Sequence, residues 1–132
     1  MSSEGFPGDA AVESELAQSR QALRDAEGAF EAGLSDTTVI NRCYYACFHA
    51  AQAVLYDRGF DPQSHAGVRS LFGSEVVTEG DTTREEGRFL NEVSEFRRQA
   101  DYGSGPVEVD TSELLGEVRS FVDAMETLVG EE

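Results

Sequence analysis

The side chains best suited to chemistry in this chain stand on one predicted helix. Arg42 and His49 are seven positions apart, a spacing that returns to nearly the same azimuth two turns on, about 10.5 Å along the axis. A guanidinium neutralises the charge that builds on a pentavalent phosphate, and an imidazole moves protons near neutrality. Leaning toward one phosphodiester, the pair has the groups needed for metal-independent RNA cleavage by the adjacent 2′-OH. An amphipathic helix also presents such a pair by chance, so a hydrogen-bonded core role for His49 stands beside the catalytic one. A second concentration is Arg97-Arg98-Gln99-Ala100-Asp101-Tyr102. Neighbouring arginines cannot share a helix face, so one of them points inward or toward a partner. Its plain structural counterpart is an i,i+4 Arg97–Asp101 pair worth about 0.3–0.5 kcal/mol, with Tyr102 packed at the helix end.

Other chemistries find little support. Cys43, Cys47 and His49 spell C-x₃-C-x-H, but a structural zinc wants four ligands and the other histidine, His65, lies beyond a turn. The thiols read as small buried residues, and neither metal nor cofactor is expected. Nucleophile-elbow, Gly-rich phosphate-loop and zinc-finger patterns are absent. Paired carboxylates carry no information in a chain with 26 of them.

Helices must position these residues. Residues 1–11 read as a flexible arm and 12–130 as one domain. Val12, Leu16, Ser19, Leu23, Ala26 and Phe30 follow helical steps toward Gly33. The helix bearing Arg42 opens at Ser35 or Asp36 and stops at Gly59, a residue suited to a left-handed cap. Its core stripe is Val39, Ile40, Cys43, Tyr44, Cys47, Phe48, Ala51, Val54 and Leu55. A second, polar-aromatic stripe runs Arg42, Tyr45, His49, Gln52, Tyr56, and Ala46, Ala50 and Ala53 allow another helix to approach closely. After Asp61-Pro62, Ser64 caps a short helix through Val77. Thr83 and Glu86 fit a capping box for the next helix, with Phe89, Val93, Phe96 and Ala100 as its core line. Arg84, Arg88, Asn91, Glu95, Arg98 and Tyr102 run beside that line. Gly103 to Pro106 breaks the chain, Val107 to Val109 hints at an extended piece, and Asp110 with Glu113 opens a last helix. The fold class is all-α: an antiparallel up-and-down bundle of about five helices.

All ten basic residues are arginine and the formal net charge is −16. Such a chain repels itself in dilute buffer, and near molar salt, where the Debye length is about 3 Å, the repulsion is largely removed. A lysine-free acidic surface resembles the cytoplasmic proteins of salt-accumulating, halophilic organisms. No apolar run approaches the roughly 20 residues of a membrane span, and residues 1–10 lack a signal-peptide pattern. A cytoplasmic protein is expected.

The blocks Asn41-Arg-Cys-Tyr-Tyr-Ala-Cys-Phe-His-Ala50, Ser64-His-Ala-Gly-Val68, Leu71-Phe72, Gly87-Arg-Phe-Leu90 and Arg97-Arg-Gln-Ala-Asp-Tyr-Gly103 occur in that order. Together they resemble the small stand-alone prokaryotic branch of the HEPN (higher eukaryotes and prokaryotes nucleotide-binding) domain family, over about residues 12–130. The resemblance implies a helical bundle that forms homodimers. It also implies RNase activity, often as a toxin encoded beside a minimal nucleotidyltransferase antitoxin. Active relatives carry an Arg and a His four to six residues apart, and Arg42 with His49 fits the longest gap. Tyr45, Arg97, Arg98, Asp101 and Tyr102 are then the candidate substrate- or partner-binding residues. In the toxin branch the motif sits on a later helix, followed by Tyr. If Arg97 to Tyr102 is its counterpart here, the histidine is missing. The implied function is then a catalytically silent module that binds a nucleotide or the nucleotidyltransferase, with Tyr102 as a site of modification.

Overall fold

The computed structural model describes residues 8–80, 82–103 and 108–130. Five α-helices follow one another: α1 (Asp9–Glu31), α2 (Asp36–Asp57), α3 (His65–Leu71), α4 (Arg84–Tyr102) and α5 (Thr111–Gly130). A six-residue π-helical segment, Phe72–Val77, continues α3. Among the described residues there is no strand, so Glu108 and Val109 are not extended in a sheet, and Val107 lies outside the described residues.

The ends follow side-chain chemistry. The Ser35 hydroxyl accepts from the Thr38 amide and Ser64 from the Gly67 amide, each satisfying a first-turn donor. Thr83 and Glu86 form the reciprocal capping box at α4, and Asp110 Oδ1 accepts from the Ser112 and Glu113 amides at α5. Gly59 follows α2 at φ 88°, a conformation that strains any residue with a Cβ. At α1 the helix starts at Asp9, three residues inside the stretch read as an arm; residues 1–7 lie outside the described ones.

α2 is the centre of the bundle, packed against α1, α5 and α4. Its whole core stripe is buried, and Ala46, Ala50 and Ala53 are completely so. Tyr44, Ile40 and Leu55 alone contribute about 1.5–3 kcal/mol each through burial. The small side chains let α1 come close enough for Ser19 Oγ to donate to the Ala46 carbonyl at 2.7 Å, wholly out of water. α5 then binds α1 antiparallel, Arg20 meeting Asp123 and Glu126 while Arg119 meets Glu27 one end further on.

One apolar position departs from expectation. Phe30 is 41 % exposed, because at the end of α1 the inner line passes to Ala22, Ala26 and Ala29, whose small size the close α1–α2 approach demands. The segment expected as one short helix to Val77 instead widens to π geometry from Phe72. The wider turn brings Phe72 and Val76 into the core together.

Candidate functional site

The polar-aromatic stripe of α2 is half-buried along its whole length, from Arg42 through Tyr45, His49 and Gln52 to Tyr56. It is neither core nor open surface, as expected of side chains lining a cleft. Arg42, Tyr45 and His49 share one open pocket of about 290 Å³ with Gln18, Gln21, Ala22 and Asp25 of α1. The structure thus gathers the Arg and His of the sequence motif, with Tyr45 between them.

Each is held in a defined way. Arg42 donates through Nε and one terminal nitrogen to Asn41 Oδ1, at 3.0 and 2.7 Å, and lies over the Tyr45 ring at 5.0 Å. Asn41 is neutral, so the fork is oriented without an ion pair among the described residues, Asp25 being the acidic residue of the shared pocket. His49 Nδ1 lies 2.7 Å from Glu15 Oε1, with side-chain exposures of 19 % and 12 %. A carboxylate on one ring nitrogen fixes the tautomer and orients the ring. Among the described residues no hydrogen bond reaches the other nitrogen, Nε2. The arrangement supplies a held imidazole and a charged fork facing an open pocket.

Arg97 supports this pair from α4. Its guanidinium lies 5.1 Å from the Tyr44 ring centre and 5.7 Å from that of Tyr45, and a terminal nitrogen donates to the Tyr45 hydroxyl at 3.5 Å. Asp101 Oδ2 sits 3.1 Å from Nε but off the N–H axis, so Nε is buried without an aligned acceptor. Of the adjacent arginines, Arg97 is therefore the one that points inward. Arg98 turns outward to Glu95, and Tyr102 is 75 % exposed rather than packed at the helix end. Neither Arg98 nor Tyr102 lines the Arg42–His49 pocket.

Sequence reasoning missed Glu15, Asn41 and a second histidine. His65 stacks on Phe48 at 4.2 Å and shares a 2.5 Å hydrogen bond with the Tyr44 hydroxyl. Burial, then the positive fields of Arg97 and Arg69, hold its pKa below the ordinary imidazole value. Burial likewise raises that of Tyr44, against the pull of the same arginines. Both groups therefore stay neutral near pH 7 and serve as a rigid wall behind Tyr45. Cys43 and Cys47 are wholly buried on the core stripe. Burial pushes the Cys43 thiol up to about 12, and His49 faces elsewhere, so the C-x₃-C-x-H residues diverge. A cleft of about 470 Å³ between α4 and α5 is lined by Glu85, Glu86, Glu92 and Glu117 with Arg88 alone among cations, a balance that disfavours phosphate.

The HEPN domain family model matches residues 12–128. A UPF0332 protein of Thermotoga maritima is 33 % identical over 70 % of this chain and 71 % of its own length. The "Putative toxin MJ0605" of Methanocaldococcus jannaschii is 34 % identical over 70 % of this chain and 69 % of its own length. A UPF0332 protein of Gloeobacter violaceus is 32 % identical over 84 % of this chain and 90 % of its own length. With a bundle of five helices and a family match over nearly all of its length, this chain belongs to the HEPN domain family.

Proposed function

We propose that this protein is the toxin-like half of a HEPN/nucleotidyltransferase pair, a cytoplasmic homodimer that cleaves RNA without metal through Arg42 and His49. The observation that carries this reading is the shared pocket in which Arg42, Tyr45 and His49 meet while Glu15 holds His49 Nδ1. In this mechanism His49 Nε2 accepts the proton of the 2′-OH and the 2′-oxygen attacks phosphorus. The 5′-oxygen leaves, takes a proton from water, and a 2′,3′-cyclic phosphate remains. Arg42 neutralises the charge on the equatorial oxygens and Glu15 stabilises the imidazolium. The toxin name of the Methanocaldococcus relative agrees with it.

Incubation with single-stranded RNA in EDTA tests the reading. His49→Gln lowers cleavage by about 10²-fold or more and Glu15→Gln by about 10-fold, with unchanged far-UV circular dichroism. Wild-type cleavage by His49→Gln would falsify the assignment.

A second reading is favoured by the exposure of Tyr102 and Arg98 outside that pocket. It makes the chain a silent module that binds a nucleotide or the partner nucleotidyltransferase. RNA left intact by the wild type, together with nucleotide transfer to Tyr102 when that enzyme and ATP are added, decides for it.

A further inference from the structure

Ten arginines stand against 26 carboxylates in this chain, so a place where arginines gather without carboxylates calls for an explanation. Arg20, Arg97, Arg98 and Arg119 are held in ion pairs. For Arg24, Arg42, Arg69, Arg84 and Arg88, no carboxylate oxygen among the described residues lies within 4.0 Å of a guanidinium nitrogen. Three of these five, Arg69 of α3 with Arg84 and Arg88 of α4, line a single pocket of about 420 Å³ whose lining, among the described residues, includes Asn91 and no acidic residue.

The backbone is opened where they converge. The π-helical turn forms one wall through Phe72, Gly73 and Val77, and Gly87 of α4 forms another. A Cβ on Gly87 would meet Val77 Cγ2 at 3.0 Å, so glycine permits the close packing that shapes the floor. The arrangement is costly in the free protein. Arg84 is the first residue of α4, where the helix dipole disfavours a cation, and Arg88 repels it one turn on. Arg88 stands on the rim shared with the acidic cleft yet pairs with none of its glutamates. Among the described residues no carboxylate forms an ion pair with Arg69, Arg84 or Arg88.

The pocket also connects to the one described above. Arg69 is close enough to Tyr44 to act on its ionisation, Arg97 lies over Tyr44 and Tyr45, and Arg42 lies over Tyr45. An arginine–tyrosine series thus runs from one pocket to the other. We propose that the Arg69–Arg84–Arg88 pocket is a second phosphate site, gripping a backbone phosphate of an RNA strand other than the one held at Arg42 and His49. This rests on the RNA reading of that first pocket. Arginine suits it because its fork binds phosphate bidentately.

The test uses the full chain carrying His49→Gln, so that RNA binds without being cut. Fluorescence anisotropy compares a long single-stranded RNA with a dinucleotide, before and after Arg84→Gln with Arg88→Gln. Long-RNA affinity is expected to fall about tenfold, and its log–log salt slope to flatten by about 0.7 per arginine removed. Dinucleotide binding, and dinucleotide cleavage with His49 intact, stay unchanged. Asn91→Glu, which leaves the arginines in place, must weaken long RNA too and guards against misfolding of the double variant.

Unchanged long-RNA affinity overturns the second site and leaves the first reading standing. Equal losses for both ligands overturn it as a separate site. If the parent binds inorganic tripolyphosphate but no RNA, and the double variant loses that binding, the pocket serves a small polyphosphate and the RNA assignment falls. Binding of neither probe overturns this proposal together with the RNA reading beneath it.

Discussion

Arg97→Met removes one charge from the centre of the site while keeping most of the side-chain volume. The guanidinium makes two ring contacts, at 5.1 and 5.7 Å, worth about 0.5–1 kcal/mol each in a half-buried setting. Its ion pair with Asp101 adds about 0.3–0.5 kcal/mol, partly offset by the buried Nε that lacks an aligned acceptor. The net loss is about 1–2 kcal/mol at neutral pH, or about 3–8 °C in melting temperature for a chain of this size. A second consequence concerns His65, whose pKa is lowered first by burial and next by Arg97. A lowered folded pKa means that this histidine's contribution is complete above the ordinary value near 6.5 and is lost as pH falls through the folded one. Without Arg97 the His65 midpoint rises, staying below its ordinary value because burial persists. Less stability is then lost on the acid side, and the gap between wild type and variant narrows from pH 8 to pH 5. Thermal melts across that range, with NMR titration of the two histidines, check both parts. A His65 midpoint that stays fixed or falls, or a gap that widens in acid, would refute this account of the cluster.

Ser19→Leu places a large side chain where α1 and α2 touch, and should cost about 2–3 kcal/mol in a urea titration. Ser19→Ala loses only the bond to the Ala46 carbonyl, about 1 kcal/mol. Thr83→Ala breaks the capping box at α4 and lowers stability by about 1 kcal/mol at pH 7. Burial raises the Glu86 carboxyl, but its bonds from Thr83 and Thr82 outweigh that and hold it below the ordinary carboxyl value. The difference between Thr83→Ala and wild type in chemical denaturation therefore fades as pH falls through the acid range where Glu86 takes up its proton.

Much of the frame was legible because local chemistry decides it. Ser35, Ser64, Thr83 with Glu86, and Asp110 each satisfy first-turn helix donors that have no partner within the helix, and the two stripes of α2 follow directly from helical period. What escaped depends on contacts between elements. Phe30 fits the helical repeat, yet its burial is decided by how closely α1 approaches α2, which no single-helix pattern reports. The π-helical turn at Phe72–Val77 is set by seating Phe72 and Val76 in one core, and leaves no periodic signature. Glu15 was within reach. With α1 and α2 antiparallel and Ser19 opposite Ala46, one turn back along α1 and one turn on along α2 brings Glu15 beside His49. The missing step was to pair the small residues Ser19 and Ala46 before assigning partners to His49. His65 offered a weaker signal. It is one of only two histidines and follows a proline turn, but its bond to Tyr44 spans a loop whose path the sequence does not specify.

The charge of this chain bears on both proposed sites in opposite directions. At −16, dilute buffer both strains the fold and holds nucleic acid away, since the long-range field is repulsive to phosphate. Salt relieves both effects as the Debye length shrinks toward about 3 Å near 1 M, but it also weakens binding that depends on counterion release. Binding that persists in such solvent must come from contact-range interactions that screening reaches least. Those are bidentate hydrogen bonds from guanidinium forks and cation–ring contacts in partly desolvated clefts. Here Arg42 lies over the Tyr45 ring, and Arg69, Arg84 and Arg88 line a pocket together with Phe72, Gly73 and Gly87. Lysine, a strongly hydrated point charge, would lose most of its advantage there. On the proposed reading, the absence of lysine and the clustering of arginine answer one requirement: a surface that tolerates salt everywhere, with phosphate affinity confined to places where geometry takes over from field.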